Sequence, residues 1–328
     1  MADVCVPVDV VGVGLNACDT IIRVPHFPAP DCKVEILSVD VRPGGQVASA
    51  MVACQRWGLR ARYIGKVGDD AAAQQHEAEF RRFGVEAHLL RVANCPSQLA
   101  YILVDEKSGE RTILWKRDSR LEMGAGEIDA EWIRSGRTLL VDGHDTQAAI
   151  AAAKFAREAK IPVFADLDNI YPGVEKLLCK VDFLISSREF PARLLGGKSL
   201  GDALVEIRQT YGCRVAGSTL GAAGVVAWDG SEFFYCPGFV VKAVDTTGAG
   251  DIFHGAFIHE LLHGRNLKEI LEFSNAAAAL NCTAIGARGR IASLTEIENL
   301  IATGKRHSTA FDPLREGCFS SSEGSQPA

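Results

Sequence analysis

The chain has 328 residues, 47% of them hydrophobic, which is enough for one large α/β domain or two ordinary ones with a sizeable core. Its formal net charge of −6, with no long basic run, argues against nucleic acid as the main partner but not against a nucleotide substrate. Its ten cysteines are scattered without zinc spacing, and no signal peptide or long apolar stretch is visible, so we expect a cytoplasmic protein without a membrane partner.

The first predicted element is a buried parallel strand over residues 8–14, which is apolar, rich in β-branched residues and closed by glycine. Asn16 and Asp19 follow at its carboxyl end, where open α/β sheets bind ligands. From this pattern alone, Asp19 could equally be a turn residue. Residues 21–24 and 33–41 are short β-like segments separated by prolines, and they predict strands of a small sheet set off from the main one.

A glycine pair opens the next predicted element. Gly44 and Gly45 precede an apolar helix that runs to about Trp57 and stops at Gly58. The pair either permits close packing at a helix start or forms part of a binding loop. A strand over 61–64 and a helix over 72–83, closed by a glycine cap, come next.

Residues 99–105 and 111–116 flank a glycine-bearing loop and predict a β-hairpin. Three basic residues, Arg111, Lys116 and Arg117, lie on or just after its second strand. They are compatible with a solvated strand face or with contacts to a ligand.

From here strands and helices alternate, which predicts a parallel, doubly wound sheet. The predicted strands cover residues 138–142, 162–166, 183–185, 214–218 and 225–228, and the predicted helices include 146–160 and a short one ending near 195. Thr219, Gly221 and Gly224 lie between the last two strands, in a turn that is either a plain hairpin or a place where the backbone approaches phosphates.

The most informative stretch of the chain covers residues 244–251. An apolar run at 239–241 predicts a strand before it, and a helix is predicted over 252–263 after it. Gly248 and Gly250 have no Cβ, so the backbone can tighten and aim its N–H groups at one spot. A helix start adds unpaired N–H groups and a partial positive charge, which together suit an anion. Asp251 stands at the mouth of this site and could accept a proton from a hydroxyl, while Asp245 could hold a cation or brace the turn.

A second C-terminal helix is predicted over residues 267–282, with Asn275, Ala278 and Cys282 near one of its faces. Residues beyond 306 are rich in serine and glycine, so we expect the tail 307–328 to be disordered.

These motifs resemble those of the ribokinase-like (PfkB) carbohydrate kinases over about residues 8–300. Asp-Thr-Thr-Gly-Ala-Gly-Asp at 245–251 is similar to the C-terminal signature of that family, and the Gly44-Gly45 pair opening a helix is similar to its N-terminal one. The resemblance implies an α/β fold with a doubly wound, mainly parallel sheet flanked by helices. It also implies a kinase domain over 1–306 with a small β-sheet lid built from about 20–42 and 98–118.

The same resemblance implies roles for individual residues. Asp251 would be the catalytic base, and the amides of Gly248, Ala249 and Gly250 would form an anion hole for the transferred phosphoryl group. Sugar binding would fall on Asp19, Asn16, Gly44, Gly45, Gln46, Ser49 and Lys33. Nucleotide binding would fall on Thr219, Gly221, Gly224, Asn275, Ala278, Cys282 and Glu189. Asp245 and Thr247 could cage a monovalent cation.

Some positions depart from the family pattern. Ser49 and Gln46 stand where many members have asparagine or lysine, so a polyol pocket survives but the preferred sugar is open. Ser186 replaces the asparagine of an Asn-x-x-Glu motif, leaving Glu189 alone.

The stretch 244–256 and residues 281–283 look most like the fructokinase, ketohexokinase and sulfofructose kinase branch. Lys33 aligns with a lid lysine that binds the sulfonate in sulfofructose kinases, but Trp115 and His144 stand where other sulfonate contacts are expected, so a sulfonated sugar is not the predicted substrate. We therefore expect an ATP-dependent kinase acting on a ketohexose such as fructose, with ribose and 2-keto-3-deoxygluconate next. The cofactors implied are Mg²⁺ with ATP and, in some members, K⁺. A homodimer through the β lid is also implied. A nucleoside kinase of the adenosine type and a catalytically silent sugar- or nucleotide-binding module remain as alternatives.

Overall fold

The computed structural model describes residues 6–308, and the main sheet within them has nine strands. In chain order the strands of the protein are β1 Val8–Val13, β2 Ala17–Val24, β3 Ser38–Gly44, β4 Ala61–Val67, β5 Glu86–Arg91, β6 Leu99–Asp105, β7 Arg111–Lys116, β8 Gly136–Asp142, β9 Val163–Leu167, β10 Phe183–Ser186, β11 Val215–Thr219, β12 Val225–Trp228 and β13 Phe233–Cys236. The main sheet has the order β13-β12-β11-β10-β9-β8-β1-β4-β5, and all its pairings are parallel except the two made by β12.

Ten α-helices connect and flank these strands in the described residues. They are α1 Gln46–Arg56, α2 Ala71–Phe83, α3 Ala130–Arg134, α4 Thr146–Glu158, α5 Val174–Leu178, α6 Phe190–Leu194, α7 Leu200–Tyr211, α8 Ala249–Leu262, α9 Leu267–Asn281 and α10 Leu294–Thr303. Local chemistry fixes several ends. For example, the Asp70 side chain accepts from the N–H of Ala73 at the start of α2, and Gly84 ends that helix in the left-handed region with φ of 77°.

Two apolar layers hold helices against the two faces of the main sheet. One layer packs α1, α8 and α9 on the sheet and includes Phe253 and Phe257, which are almost fully buried. The other layer packs the alanine-rich α4 together with α5 and α7 on the opposite face. This arrangement confirms the predicted doubly wound α/β fold.

A separate small sheet has the order β3-β2-β6-β7. Its β2–β6 pairing is parallel and its other two pairings are antiparallel. Ile21, Ala100, Ile102 and Val104 form a core of their own, against which Ile285 of the main body packs. The small sheet implied by the resemblance is therefore present, and β6 and β7 have the bounds predicted for the hairpin.

Several sequence predictions need correction. Residues 239–241 do not form a strand, because the N–H of Val240 bonds to the carbonyl of Lys305 and only Phe239 makes an isolated bridge, to Arg306. Strand β4 continues past Gly65 because β5, which we did not predict, pairs with it through Val67. The elements β13, α7 and α10 were also not predicted, residues 33–37 lie outside the strands, and α8 begins at Ala249 rather than at 252.

Most of the predicted tail, residues 309–328, lies outside the described residues. His307 lies within them, and its N–H donates to the carbonyl of Gly238 at 2.9 Å. Of the helices between residues 6 and 308, none has the length and apolar character that a membrane crossing requires.

Candidate active site

A cavity of about 850 Å³ lies between the small sheet and the carboxyl ends of the main-sheet strands. Asp19, Ile113 and Trp115 come to it from the small sheet, and Asp166 and Thr219 come from the ends of β9 and β11. Ligands bind at this edge of open α/β sheets because the connecting loops converge there. The cavity is therefore the candidate active site.

The turn formed by residues 246–250 lines the cavity at the start of α8, and we call it the anion turn. The Asp245 carboxylate stabilises the shape of the turn. Its Oδ1 accepts a hydrogen bond from the N–H of Thr247 and its Oδ2 accepts one from the N–H of Gly286, both at 2.8 Å. Gly248 has φ of 74°, and a Cβ there would overlap the backbone of Ala287. The turn thus needs glycine at this position for two separate reasons.

The N–H groups of the anion turn are not all equally available. The N–H of Ala249 donates to the carbonyl of Thr246 over a long 3.3 Å. The first N–H groups of a helix have no partner within the helix, so those of Gly248 and Gly250 are the better donors for an anion. The amide of Ala249 could join them only if its long bond to Thr246 gives way, and the anion-binding role of all three amides stays a prediction.

Asp251 lies in the first turn of α8 and lines the cavity, as predicted. Burial raises the pKa of its carboxyl well above the usual value, and the nearby charge of Asp166 raises it further, while His254 and Arg111 oppose the rise. His254 is held with one ring nitrogen 2.7 Å from the carbonyl oxygen of Gly250 and 3.3 Å from Asp166 Oδ2. The site therefore contains a carboxyl whose proton affinity is raised above that of an exposed aspartate, a change that favours the acceptance of a proton.

The predicted sugar residues divide into two groups. Asp19, Gly45 and Gln46 line the cavity. Gly44 lies directly behind Asp19, where a Cβ would overlap the carboxylate. Burial raises the pKa of Asp19 to about 7, against the opposing effect of Arg288.

The other predicted sugar residues lie away from the cavity. Asn16 is turned inward and donates to the hydroxyl of Tyr63 at 2.8 Å and to the carbonyl of Lys66 at 3.0 Å. Ser49 is fully buried and lies outside the cavity lining. Lys33 is exposed and also lies outside that lining. The sequence pattern placed Asn16 and Ser49 in segments near the site, but it could not show which way their side chains point.

Arg288 is a buried residue that sequence reasoning missed. It comes from the loop after α9, and its side chain is 4% exposed. Its Nε lies 3.2 Å from Ser49 Oγ, its Nη2 donates to the carbonyl of Gly44 at 3.1 Å, and it pairs with Glu79. Arg288 therefore joins the anion-turn side of the molecule to the backbone behind Asp19.

An aromatic wall is formed by Trp115, His144 and Tyr171, and the sequence marks only Trp115 and His144 as standing at substrate-contact positions. The rings of Trp115 and His144 meet edge to face at 6.3 Å, and the Tyr171 hydroxyl lies 3.1 Å from His144 Nε2. All three residues line the cavity. The contacts of His144 with Trp115 and with Tyr171 were not predicted, because the three residues come from separate segments of the chain.

The predicted nucleotide residues mostly meet in one part of the cavity. Its lining includes Thr219, Gly221, Gly224, Asn275, Ala278 and Cys282, together with His307. The Asn275 amide also braces the fold, since it donates to the carbonyls of Cys236 and Pro237. Glu189 is exposed at the start of α6 and lies outside the lining, so its role in nucleotide binding stays a prediction.

The residues present fit both implied cations. Asp166, Asp168 and Asp251 present carboxylates to the cavity, and carboxylate oxygens together with nucleotide phosphates are what Mg²⁺ prefers. For a monovalent cation, Thr247 offers a buried Oγ1 that has no hydrogen-bond partner among the described residues. Asp245 already uses both carboxylate oxygens on backbone N–H groups, so it would serve a cation chiefly through its charge.

Comparison with known proteins finds sugar kinases among the relatives of this chain. The ribokinase of Haemophilus influenzae is 28% identical over 291 residues, which is 86% of this chain and 94% of that protein. Fructokinase-2 of Solanum habrochaites is 25% identical over 288 residues, or 80% of this chain and 88% of that one. The structure of Arabidopsis thaliana ribokinase with ribose and ATP shares the fold, with a TM-score of 0.74, 22% identity, and coverage of 91% of this chain and 99% of that one.

The family model described as pfkB family carbohydrate kinase matches residues 8–293, which is most of the chain. The match spans both glycine signatures, the small sheet and the anion turn. The protein is therefore a member of the pfkB family of carbohydrate kinases, which are ATP-dependent phosphotransferases.

Proposed function

We propose that this kinase transfers the γ-phosphoryl group of MgATP to a hydroxyl of a small sugar, with a ketohexose such as fructose as the first candidate. The observation that carries the proposal is that Asp251, the anion turn and Asp19 all line one cavity. A base, an anion site and a hydroxyl-binding carboxylate are the groups that phosphoryl transfer to an alcohol needs.

In the proposed reaction each group has a separate task. Asp19 accepts hydrogen bonds from sugar hydroxyls and orients the sugar. Asp251 accepts the proton of the attacking hydroxyl. The N–H groups of Gly248 and Gly250 donate to the oxygens of the transferred phosphoryl group, and the small sheet, through Ile113 and Trp115, limits the access of water.

Two cations belong to the proposal. Mg²⁺ would neutralise phosphate charge when it is bound with ATP, and Asp166 and Asp168 are the residues that would hold it. K⁺ would lie near Thr247 and stabilise the anion turn. The protein is proposed to act in the cytoplasm, and its eight described cysteines, all of them free thiols, are consistent with a reducing compartment.

The choice of a ketohexose rests on two observations. The stretches 244–256 and 281–283 are similar to the fructose-type branch, and a fructokinase is among the relatives of this chain, beside a ribokinase. The exposed position of Lys33, outside the cavity lining, counts against a sulfonated sugar held by that residue. Ribose and 2-keto-3-deoxygluconate follow as candidates.

A nucleoside is the second candidate acceptor, and one observation favours it. The aromatic wall of Trp115, His144 and Tyr171 offers flat surfaces on which a nucleobase could stack, beside the apolar side chains of Ile102 and Ile113. A simple sugar would use only part of this surface.

A coupled assay of ADP release tests the proposal directly. MgATP is supplied with fructose, other ketohexoses, ribose, 2-keto-3-deoxygluconate, phosphosugars and adenosine in turn, with and without K⁺. Preferred turnover of a ketohexose supports the first candidate, and preferred turnover of adenosine replaces it with the second. If no acceptor is phosphorylated although ATP binds, the protein is a silent binding module and the proposed role of Asp251 is wrong.

We also propose a homodimer formed through the outer face of the small sheet. The strand register pairs Thr20 with Val41 and with Tyr101, and Tyr101 with Leu114, so these side chains share one face. Val41, Tyr101 and Leu114 are between 47% and 58% exposed. Ile113 points to the opposite face, towards the cavity. A contiguous exposed apolar face on a small sheet is what a second copy of the chain would cover.

A further inference from the structure

The C-terminal end of α8, opposite the anion turn, has a cluster of metal-binding side chains. The sequence there reads His259-Glu260-Leu261-Leu262-His263. The spacing of four residues puts the two imidazoles on one face of the helix. Their ring centroids are 4.3 Å apart, and ligand atoms of the two histidines and of Glu260 all lie within 4.8 Å of one another.

Hydrogen bonds select the ring tautomers that bind metals. His263 Nδ1 lies 2.7 Å from the carbonyl oxygen of His259, and His259 Nδ1 lies 2.8 Å from Glu260 Oε1. A carbonyl and an ionised carboxylate can only accept, so in each neutral ring the proton is on Nδ1. The lone pair is then on Nε2, where it is free to bind a metal. Metal-binding histidines usually donate the N–H of their other ring nitrogen to a carbonyl or carboxylate in this way, which fixes the tautomer.

The cluster is also held in place before any ion binds. The His259 ring stacks on Phe273 at 5.9 Å and meets Trp57 edge to face at 6.0 Å, so its orientation is fixed. His263 is exposed, which leaves the cluster open to solvent. The partial negative charge at the end of this 14-residue helix favours a cation there.

We propose that His259 and His263 bind one divalent transition-metal ion such as Zn²⁺, with Glu260 orienting His259 through Oε1 while its Oε2 lies 3.6 Å from Arg265 Nε. Imidazole ligands favour Zn²⁺, Cu²⁺ and Ni²⁺ over Mg²⁺, so this site would not compete for the ion that accompanies ATP. It is separated from Asp251 by two turns of helix and is independent of the choice of sugar. Its effect would be to tie the end of the helix that carries the catalytic turn.

Titration calorimetry with ZnCl₂ tests the proposal on untagged protein, because a histidine tag would bind the same ion. The exposed thiols of Cys32 and Cys179 are removed first by Cys→Ser substitution, since thiolates also bind zinc. We expect one equivalent of Zn²⁺ per chain. Glu260→Gln should weaken binding by about 10- to 100-fold, the range for loss of a residue that orients a ligand.

His263→Ala should remove the one-equivalent phase, and His26→Ala is the matched control, because His26 is an exposed histidine outside the cluster. Both variants change exposed residues, so circular dichroism should show the wild-type fold. The visible spectrum of the Co²⁺ form gives a second readout, which His263→Ala should abolish and His26→Ala should keep. Absence of a one-equivalent phase in the parent protein, or equal affinity in His263→Ala, overturns the proposal.

Discussion

The carboxylate of Asp19 occupies the space that a side chain at Gly44 would need. The two residues lie on paired strands, and a Cβ built on Gly44 would overlap Asp19 Oδ2. Gly44 has no positive φ, so glycine is required there for room and not for backbone conformation. Arg288 donates a hydrogen bond to the carbonyl of Gly44 and so holds the Gly44 backbone against which the Asp19 carboxylate packs.

Gly44→Ala should therefore displace Asp19 while leaving the fold intact, because the far end of a side chain can move. We expect kcat/KM for the acceptor to fall by about 10- to 100-fold, the cost of misplacing a binding group by about 1 Å. The KM for ATP should stay nearly unchanged. Gly126→Ala is the matched control, since a Cβ there meets no atom within 4 Å. Equal losses in both variants, or an unchanged acceptor KM in Gly44→Ala, would contradict the role of this contact.

Gly250→Ala separates folding from function in the anion turn. A Cβ at Gly250 meets no atom within 4 Å outside its own helix, and the residue has no positive φ, so the fold has room for alanine. Alanine in a helix should raise the free energy of unfolding by up to about 1 kcal/mol. Gly250 lines the cavity, however, so the methyl group would crowd the phosphoryl site, and we expect kcat to fall by about 10²-fold. Urea unfolding and ADP release measure the two effects, and full activity would show that Gly250 does not face the phosphoryl group.

The sequence predicted the fold and the anion turn because both depend on local signals. Alternating strands and helices indicate a doubly wound sheet, and Gly248 before an apolar helix indicates a tight turn. Side-chain direction could not be predicted in the same way. Asn16 and Ser49 are near the sugar site in the chain but are turned into the core. Arg288 reaches Ser49 across 239 residues of sequence, and a contact of that range leaves no periodic pattern.

Asp19→Asn should stabilise the protein at alkaline pH while abolishing sugar binding. The pKa of Asp19 rises from 3.8 to about 7 on folding because the carboxyl is buried, with Arg288 and Arg111 opposing the rise and Asp245 adding to it. The native state therefore binds more protons than the unfolded state between about pH 4 and 7, and stability falls as pH rises through that window. Urea unfolding at pH 5 and pH 8 should show the stability of the variant relative to wild type rising by about 2 to 3 kcal/mol between the two pH values. The same difference at both values would contradict the raised pKa.

Leu114→Glu should prevent dimerisation through the outer face of the small sheet. Leu114 is 58% exposed and pairs in register with Tyr101 at the centre of that face. A carboxylate buried between two apolar faces without a partner costs several kcal/mol, so the dimer should dissociate. Light scattering after gel filtration measures the mass, and Thr210→Glu, an exposed change on α7, is the control. A monomeric wild type would show that there is no dimer, and a dimer that survives Leu114→Glu would show that the interface lies elsewhere.

Asp251→Asn tests the catalytic base. Asparagine keeps the shape of the side chain at the start of α8 but cannot accept a proton from the acceptor hydroxyl, so kcat should fall by about 10² or more. ATP should still bind, because the N–H groups of the anion turn are unchanged, and calorimetry with ATP provides that control. Asp166→Asn should lower the pKa of Asp251 and shift the acid limb of kcat/KM to lower pH, measured at saturating Mg²⁺ because Asp166 is also proposed to hold that ion. Near-normal turnover in Asp251→Asn would show that another group removes the proton.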